Sequence, residues 1–166
     1  MLYQAAVFIH VLAAVTWIGG MLFLVLVLVP VSRREIRASG AAPRLLRQAA
    51  RRFLPVAWLA IGLLIVTGIY IAWSHWGVRP GNFFSSGGHF FRTLQIKTGL
   101  FTLVVVLSLA HDFLLGPRVL ARLESPPSPG GRAPGKAARA LLLVLARVNL
   151  LAALAILALA VILIRT

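Results

Sequence analysis

The sequence predicts an all-α integral membrane protein, built as an antiparallel bundle of four transmembrane helices. Apolar residues make up 60% of the 166-residue chain, and its mean hydropathy is +0.95. A soluble domain of this size could not bury so much apolar surface. The apolar residues fall in four long segments, with most of the cations between them. We therefore expect a single four-helix domain whose main partner is the lipid bilayer.

Segment length defines the four spans. A transmembrane helix needs about 20 mostly apolar residues to cross a hydrocarbon core about 30 Å thick. The segments that meet this requirement are 3–31, 53–76, 90–115 and 138–164. The first is too long for the apolar region of a cleavable signal peptide, and no charged region precedes it. Pro30 ends the first span and Gly116-Pro117 ends the third, as helix stop signals do.

The charge distribution predicts the orientation. The chain has 17 Lys and Arg against three acidic residues. Loops 32–52 and 116–139 are rich in cations, whereas loop 77–89 has only Arg79. The positive-inside rule places the first two loops in the cytoplasm of a prokaryote, with both termini outside its inner membrane. The Pro/Gly/Ser-rich stretch 117–137 is predicted to be a flexible linker. Nothing resembles a nucleic-acid-binding motif, so no nucleic-acid partner is expected.

Ionisable side chains inside a span indicate a functional site by default. At about 1.5 Å per residue, His10 lies about 10 Å inside the outer end of the first helix. His75, His89 and Lys97 also belong to the outer half of the bilayer. We therefore expect the chemistry to be concentrated in that half.

A second group of polar residues belongs to the inner half. His111 lies about 20 Å deeper than His10, because both helices run inward from the outer surface. Asp112 follows it directly, and Arg147 enters from the inner end of the fourth helix. We expect His111, Asp112 and Arg147 to form an inner polar cluster.

Haem b is the cofactor that the outer residues favour. A haem in a helix bundle needs imidazoles from facing helices, small residues beside the ring and cations near its propionates. His10 is the expected axial ligand, His75 the second ligand, and Lys97 a propionate partner or proton donor. The residues expected around the ring are Trp17, Gly20, Gly68, Lys97 and Arg92. Such a protein would serve electron transfer or quinone- or porphyrin-linked oxidoreduction, with a quinone or redox protein as partner.

Other functions also fit these residues. His10 could instead form an interhelical hydrogen bond to Ser, Thr or a backbone carbonyl. His10, His75 and His89 could together bind copper for transport or tolerance. The chain could also be a cofactor-free structural subunit of a larger membrane complex, or a homo-oligomer.

Three segments resemble a known family. They are HVLAAVTWIGGMLF from His10, RFLPVAWLAIGLLIVTGIY from Arg52 and LQIKTGLFTLVVVLSLAHDFLLGPR from Leu94. Together they resemble the copper-resistance D (CopD) domain family and, more distantly, the HemJ-type haem-b protoporphyrinogen oxidases. The resemblance covers the first 118 residues, and the last helix adds only hydrophobicity. The first family implies copper uptake or tolerance. The second implies haem binding by His10, and Lys97 matches a lysine of both groups.

Overall fold

The computed structural model describes residues 1–31, 42–115 and 136–164, and the regular structure within these ranges is helical. The helices are α1 (Leu2–Phe23), α2 (Ala42–Trp76), α3 (Pro80–Phe83), α4 (His89–Leu109) and α5 (Lys136–Ile164). A π-helical turn follows α1 at Leu24–Leu28, and another follows α4 at Ala110–Leu115. The all-α prediction is confirmed. Positions 117–135 of the predicted linker lie outside the described residues, and positions 136 and 137 belong to α5.

Three helical segments are long and apolar enough to cross a membrane. They are Leu2–Val31, Gln48–Trp76 and His89–Leu114. In α5 the apolar stretch is Arg147–Ile162, which is shorter than the 18 residues required of these spans. The chain is therefore a membrane protein, because these helices expose apolar side chains that only lipid or another protein can cover. The number of four spans, their antiparallel arrangement and the outward position of both termini remain predictions.

Helix α2 begins eleven residues before the predicted start of its span. The helix runs unbroken from Ala42 to Trp76, so Pro55 lies in its interior rather than in its first turn. Hydropathy predicts where a helix enters the membrane, but helix propensity decides where it begins. The arginines, leucines and alanines before residue 53 are good helix formers, and they extend the helix beyond the apolar segment.

Local backbone chemistry ends α2. Gly77 adopts a positive φ of 63°, which glycine tolerates without steric cost. The Val78 N–H donates to the Ala72 carbonyl at 3.0 Å. Asn82 then donates from its side chain to the Gly77 carbonyl at 3.0 Å and accepts from the Arg79 N–H at 2.7 Å. These bonds hold the connection that includes α3 against the end of α2.

Two compact units make up the chain, Met1–Ser85 and Ser86–Thr166. In the first unit, α1 packs against α2. Three contacts define their relative direction: Tyr3 meets His75, His10 meets Thr67, and Gly20 meets Phe53. Positions rise along α1 as they fall along α2, so this pair is antiparallel. Their buried residues include several alanines, which allow close helix approach in a membrane. They are Ala13, Trp17, Ile18, Ala57, Ala60, Ile61, Leu64 and Thr67.

One of the two adjacent glycines in α1 lies against an aromatic ring. A Cβ atom built on Gly20 would overlap the Phe53 ring of α2. The same atom on Gly19 would meet nothing within 4 Å. Gly20 is therefore a packing position for Phe53, whereas Gly19 is free to accept a side chain.

In the second unit, α4 packs against α5. The Asn149 side-chain N–H of α5 donates to the Ser108 hydroxyl of α4 at 2.9 Å. Ser108 is buried, and Val104 and Ala153 are fully covered. An interhelical hydrogen bond between side chains thus connects the two helices within their apolar surroundings.

We expect Gly20→Ala to be less stable than Gly19→Ala. Replacing an exposed helical glycine by alanine gains up to about 1 kcal/mol of helix propensity. At Gly20 this gain is offset, because the new methyl group displaces the Phe53 ring, and overpacking costs about 1–3 kcal/mol. Thermal unfolding of the two purified variants in detergent measures the difference. Equal melting temperatures would show that Phe53 does not pack on Gly20.

A double-mutant cycle tests the Ser108–Asn149 hydrogen bond. Ser108→Ala and Asn149→Ala each remove one partner, and the pair removes both. The coupling free energy should be about 0.6 kcal/mol, the average for such bonds in a membrane protein, with an upper limit of about 1.7 kcal/mol. Unfolding of the four proteins in mixed detergent measures it. Strictly additive single effects would mean that the two side chains do not interact.

Candidate functional site

His10 forms a hydrogen bond across the α1–α2 interface. Its Nδ1 atom lies 2.8 Å from the Thr67 hydroxyl oxygen, and that hydroxyl donates to the Leu63 carbonyl. A threonine hydroxyl has one hydrogen. Because this hydrogen goes to Leu63, the Thr67 oxygen must accept from His10, so Nδ1 carries the ring proton. The alternative prediction of an interhelical hydrogen bond is thereby confirmed.

This hydrogen bond fixes the tautomer of His10. With the proton on Nδ1, the neutral ring has its lone pair on Nε2, the nitrogen that can bind a metal ion. Metal-binding histidines commonly donate their other ring N–H to an oxygen, which holds the ring orientation. The Thr67 hydroxyl fills that role here.

The glycines near His10 make room for side chains of the protein itself. A Cβ atom on Gly68 would lie 3.3 Å from His10 Cε1, so Gly68 leaves space for the imidazole. The space beside Gly20 is filled by the Phe53 ring. Trp17 is buried, with 3% of its surface exposed. The space that these positions were expected to provide for a macrocycle is thus largely occupied by protein rings.

His75 lies apart from His10. Its ring stacks on Tyr3 with centroids 4.6 Å apart, and it meets Trp76 edge to face at 5.1 Å. His75 is eight residues beyond Thr67 along α2, which corresponds to about 12 Å. The structure therefore places the two histidines at successive levels of one helix pair and does not bring them together as two ligands of one iron.

An apolar groove runs along the same helix pair. Its volume is about 170 Å³, whereas sites for small molecules usually measure about 300–1,000 Å³. The residues that line it are Ile9, Leu12, Ala13, Thr16, Val56, Leu59, Ala60 and Leu63. The groove supplies no charged group, and it does not fit a cofactor with two propionates.

The predicted outer residues of the second unit lie on α4. His89 is the first residue of the helix and is exposed, and Arg92 is exposed one turn later. Lys97 is half-buried two turns into the helix. Within residues 1–31, 42–115 and 136–164, no three or more His, Asp or Glu side chains form a group that could hold a metal ion. The three-imidazole copper site of His10, His75 and His89 stays a prediction, because His89 belongs to the second compact unit.

Two members of the predicted inner cluster are in contact. His111 Nδ1 lies 2.9 Å from Asp112 Oδ1, and both lie on the π-helical turn after α4. Arg147 is exposed on α5, two residues before Asn149. Two helical positions correspond to about 200° of rotation, so Arg147 projects from a different face than Asn149. Participation of Arg147 in the cluster stays a prediction.

Comparisons with known proteins identify the family. The family model described as copper resistance protein D matches residues 47–163. The chain belongs to this family. A protein of Aquifex aeolicus, described as uncharacterized, is 33% identical over 114 residues, which cover 68% of this chain and 70% of the relative. No solved structure matches the chain.

The extent of the family match corrects one expectation. We expected the resemblance to cover the first 118 residues, with nothing specific in the last helix. The match begins within α2 and continues through most of α5, and it omits α1 with His10. The similarity to the family thus includes the last helix. The uniform hydrophobicity of that helix gave no indication of this similarity in the sequence. The family favours the copper alternative, and neither the comparisons nor the geometry supports the haem prediction.

Sequence reasoning missed several partners of the site. Gly68 was expected beside a cofactor ring, but the stacking of Tyr3 on His75 and the packing of Phe53 against Gly20 were not expected. In an antiparallel pairing of α1 with α2, the residue numbers of facing positions add up to about 77. This pairing would have indicated both contacts. Asn149, the single amide in a long apolar stretch, was also a detectable signal for an interhelical bond.

We expect Thr67→Val to release the tautomer of His10. Valine keeps the shape of threonine but removes the acceptor, so the Nδ1–H loses its partner at a cost of about 1–3 kcal/mol. Nitrogen-15 spectra of histidine-labelled protein in detergent should show protonated Nδ1 in the wild type and a changed tautomer population in the variant. Thr102→Val is the matched control, because Thr102 also bonds the carbonyl four residues earlier but is exposed. Identical His10 signals in Thr67→Val and wild type would contradict the assignment.

Proposed function

We propose that this chain binds copper as cargo within the membrane, for copper transport or tolerance, and that His10 is a ligand. The family match over residues 47–163 carries the copper part of this proposal, and the assignment of His10, which lies outside the match, rests on its geometry. The geometry of His10 supports it, because the hydrogen bond to Thr67 holds the imidazole and puts the lone pair of the neutral ring on Nε2, a nitrogen that can bind a metal ion.

Copper is a suitable ion for this position. Imidazole is among the ligands that copper prefers. A hydrogen bond from the second ring nitrogen orients the ligand and raises its basicity. Gly68 contributes by keeping the space in which the imidazole lies. Thr67 and Gly68 thus act as positioning residues for the His10 ligand.

His75 provides a second contact for the ion at the end of the same helix pair. It is exposed, so an ion can reach it from the surface. Tyr3 and Trp76 present aromatic rings to it, and such rings attract cations. Two contacts about 12 Å apart along α2 suit an ion that must bind and then leave, since tight binding at one position would stop its movement.

The cellular setting belongs to the same proposal. The cation-rich loops 32–52 and 116–139 face the cytoplasm of a prokaryote, and the loop 77–89 faces outward. The end of α2 that holds His75 is then the outer end, so copper would reach His75 before His10. The lipid bilayer surrounds the apolar faces of the helices.

Silver(I) binding tests the copper proposal, because Ag(I) imitates Cu(I) without redox chemistry. Strep-tagged protein in detergent is titrated by equilibrium dialysis with metal analysis. We expect bound Ag(I) in the wild type and an affinity at least about tenfold lower in His10→Ala. A ligand that contributes about 1.4 kcal/mol to the binding free energy changes the affinity tenfold when it is lost. Thr67→Val should weaken binding less, because it leaves the imidazole in place.

Two results would overturn this assignment. Equal Ag(I) binding in wild type and His10→Ala would remove His10 from the site. A Soret absorption band in protein from haem-replete cells, lost in His10→Ala, would show that His10 binds haem. Copper sensitivity of cells that carry wild type or His10→Ala connects binding to function, and Gly62→Ala is the control on α2, since a Cβ there meets nothing within 4 Å.

A further inference from the structure

The second unit contains a contact between two ionisable side chains that the proposed function does not use. His111 and Asp112 lie on the π-helical turn after α4, with Nδ1 and Oδ1 2.9 Å apart. They follow His89, the first residue of α4, by 22 and 23 positions, which corresponds to about 33 Å. The pair is therefore at the opposite end of this span from His89.

The π-helical turn explains how two adjacent residues can touch. In an α-helix, neighbouring side chains point about 100° apart and do not face each other. The wider turn at Ala110–Leu115 reduces this divergence. Such turns are rare and frequently occur at functional sites. An imidazole and a carboxylate inside a span are themselves costly.

The 2.9 Å separation of His111 Nδ1 and Asp112 Oδ1 is that of a hydrogen bond, and two atoms this close can also become neighbouring ligands of one metal ion. Ligands about 2.0–2.1 Å from a metal and at right angles to each other are about 2.9 Å apart. We propose that His111 Nδ1 and Asp112 Oδ1 together bind a Cu(II) ion. This inference rests on the proposed function, because it takes copper as the ion that the chain handles. When the metal binds Nδ1, the ring proton resides on Nε2, so the imidazole stays neutral.

The surroundings favour Cu(II) over Cu(I). Ser108 lies three and four positions before the pair and thus on the same side of the helix, where Asn149 donates to it. The polar atoms at this end of the α4–α5 pair are therefore nitrogen and oxygen. Asp112 adds a hard carboxylate oxygen to the imidazole nitrogen, and nitrogen and oxygen ligands in tetragonal geometry suit Cu(II). The two side chains are 38% and 23% exposed and lie at the end of the span, where water can complete the coordination.

Electron paramagnetic resonance of Cu(II) added to the Strep-tagged protein in detergent tests the site. The wild type should show a bound Cu(II) signal with hyperfine splitting from imidazole nitrogen. His111→Ala should lose one equivalent of this signal. Asp112→Asn keeps the size of the side chain but removes its charge, so Cu(II) affinity should fall at least about tenfold. Thr102→Val, at an exposed position of α4, is the control and should bind as the wild type does.

A second variant makes the result independent of the other histidines. The chain has four histidines, so replacing His10, His75 and His89 by alanine leaves only His111. This protein should keep Cu(II) with one imidazole nitrogen. Identical Cu(II) signals in wild type and His111→Ala, or loss of the nitrogen splitting in the His111-only protein while it remains monodisperse, would overturn the proposal.

Ag(I) binding separates this inference from the proposed function. If Asp112→Asn binds Ag(I) as the wild type does but has lost Cu(II), the variant is folded and the second site stands. If Ag(I) binding is weaker in His10→Ala but the Cu(II) signal is unchanged in His111→Ala, only the second site is wrong. If Ag(I) binding is unchanged in His10→Ala, the proposed function is wrong. The Cu(II) signal of His111→Ala then shows by itself whether the second site exists.

Discussion

The single hydrogen of the Thr67 hydroxyl is the constraint on which the arrangement around His10 depends. Because it is donated to the Leu63 carbonyl, the oxygen can only accept from His10, and the proton position on the imidazole follows. The same bond connects α1 to α2 at one level of the membrane. Above and below it, Tyr3 stacks on His75 and Gly20 receives Phe53, so ring packing extends the register along the helix pair.

Much of the fold follows from composition, because hydrocarbon tolerates only helices whose backbone bonds are satisfied internally. The sequence therefore predicts the helices and three of the spans. It does not predict the start of α2, since an arginine-rich segment can remain helical outside the membrane. Nor does it predict the π-helical turns, because the residues of both turns are equally compatible with an α-helical turn.

The candidate site was predictable only in its parts. His10 was identified because an ionisable group in a span is costly, and its threonine partner was one stated alternative. The choice between a partner and a cofactor depends on what fills the space beside glycine, and one sequence does not contain that information. At Gly20 the occupant is a phenylalanine 33 positions away, and at Gly68 it is His10 itself. These positions lie at the α1–α2 interface, and their neighbours are set by helix pairing.

The continuity of α2 has a mechanical consequence. A helix of 35 residues is a rod of about 52 Å, longer than the hydrocarbon core is thick. Arg51 and Arg52 project from its first part, and His75 lies in its last turn. A tilt of such a rod about its middle moves its two ends in opposite directions. Attraction of the arginines to anionic headgroups would therefore change the depth at which His75 meets the opposite surface.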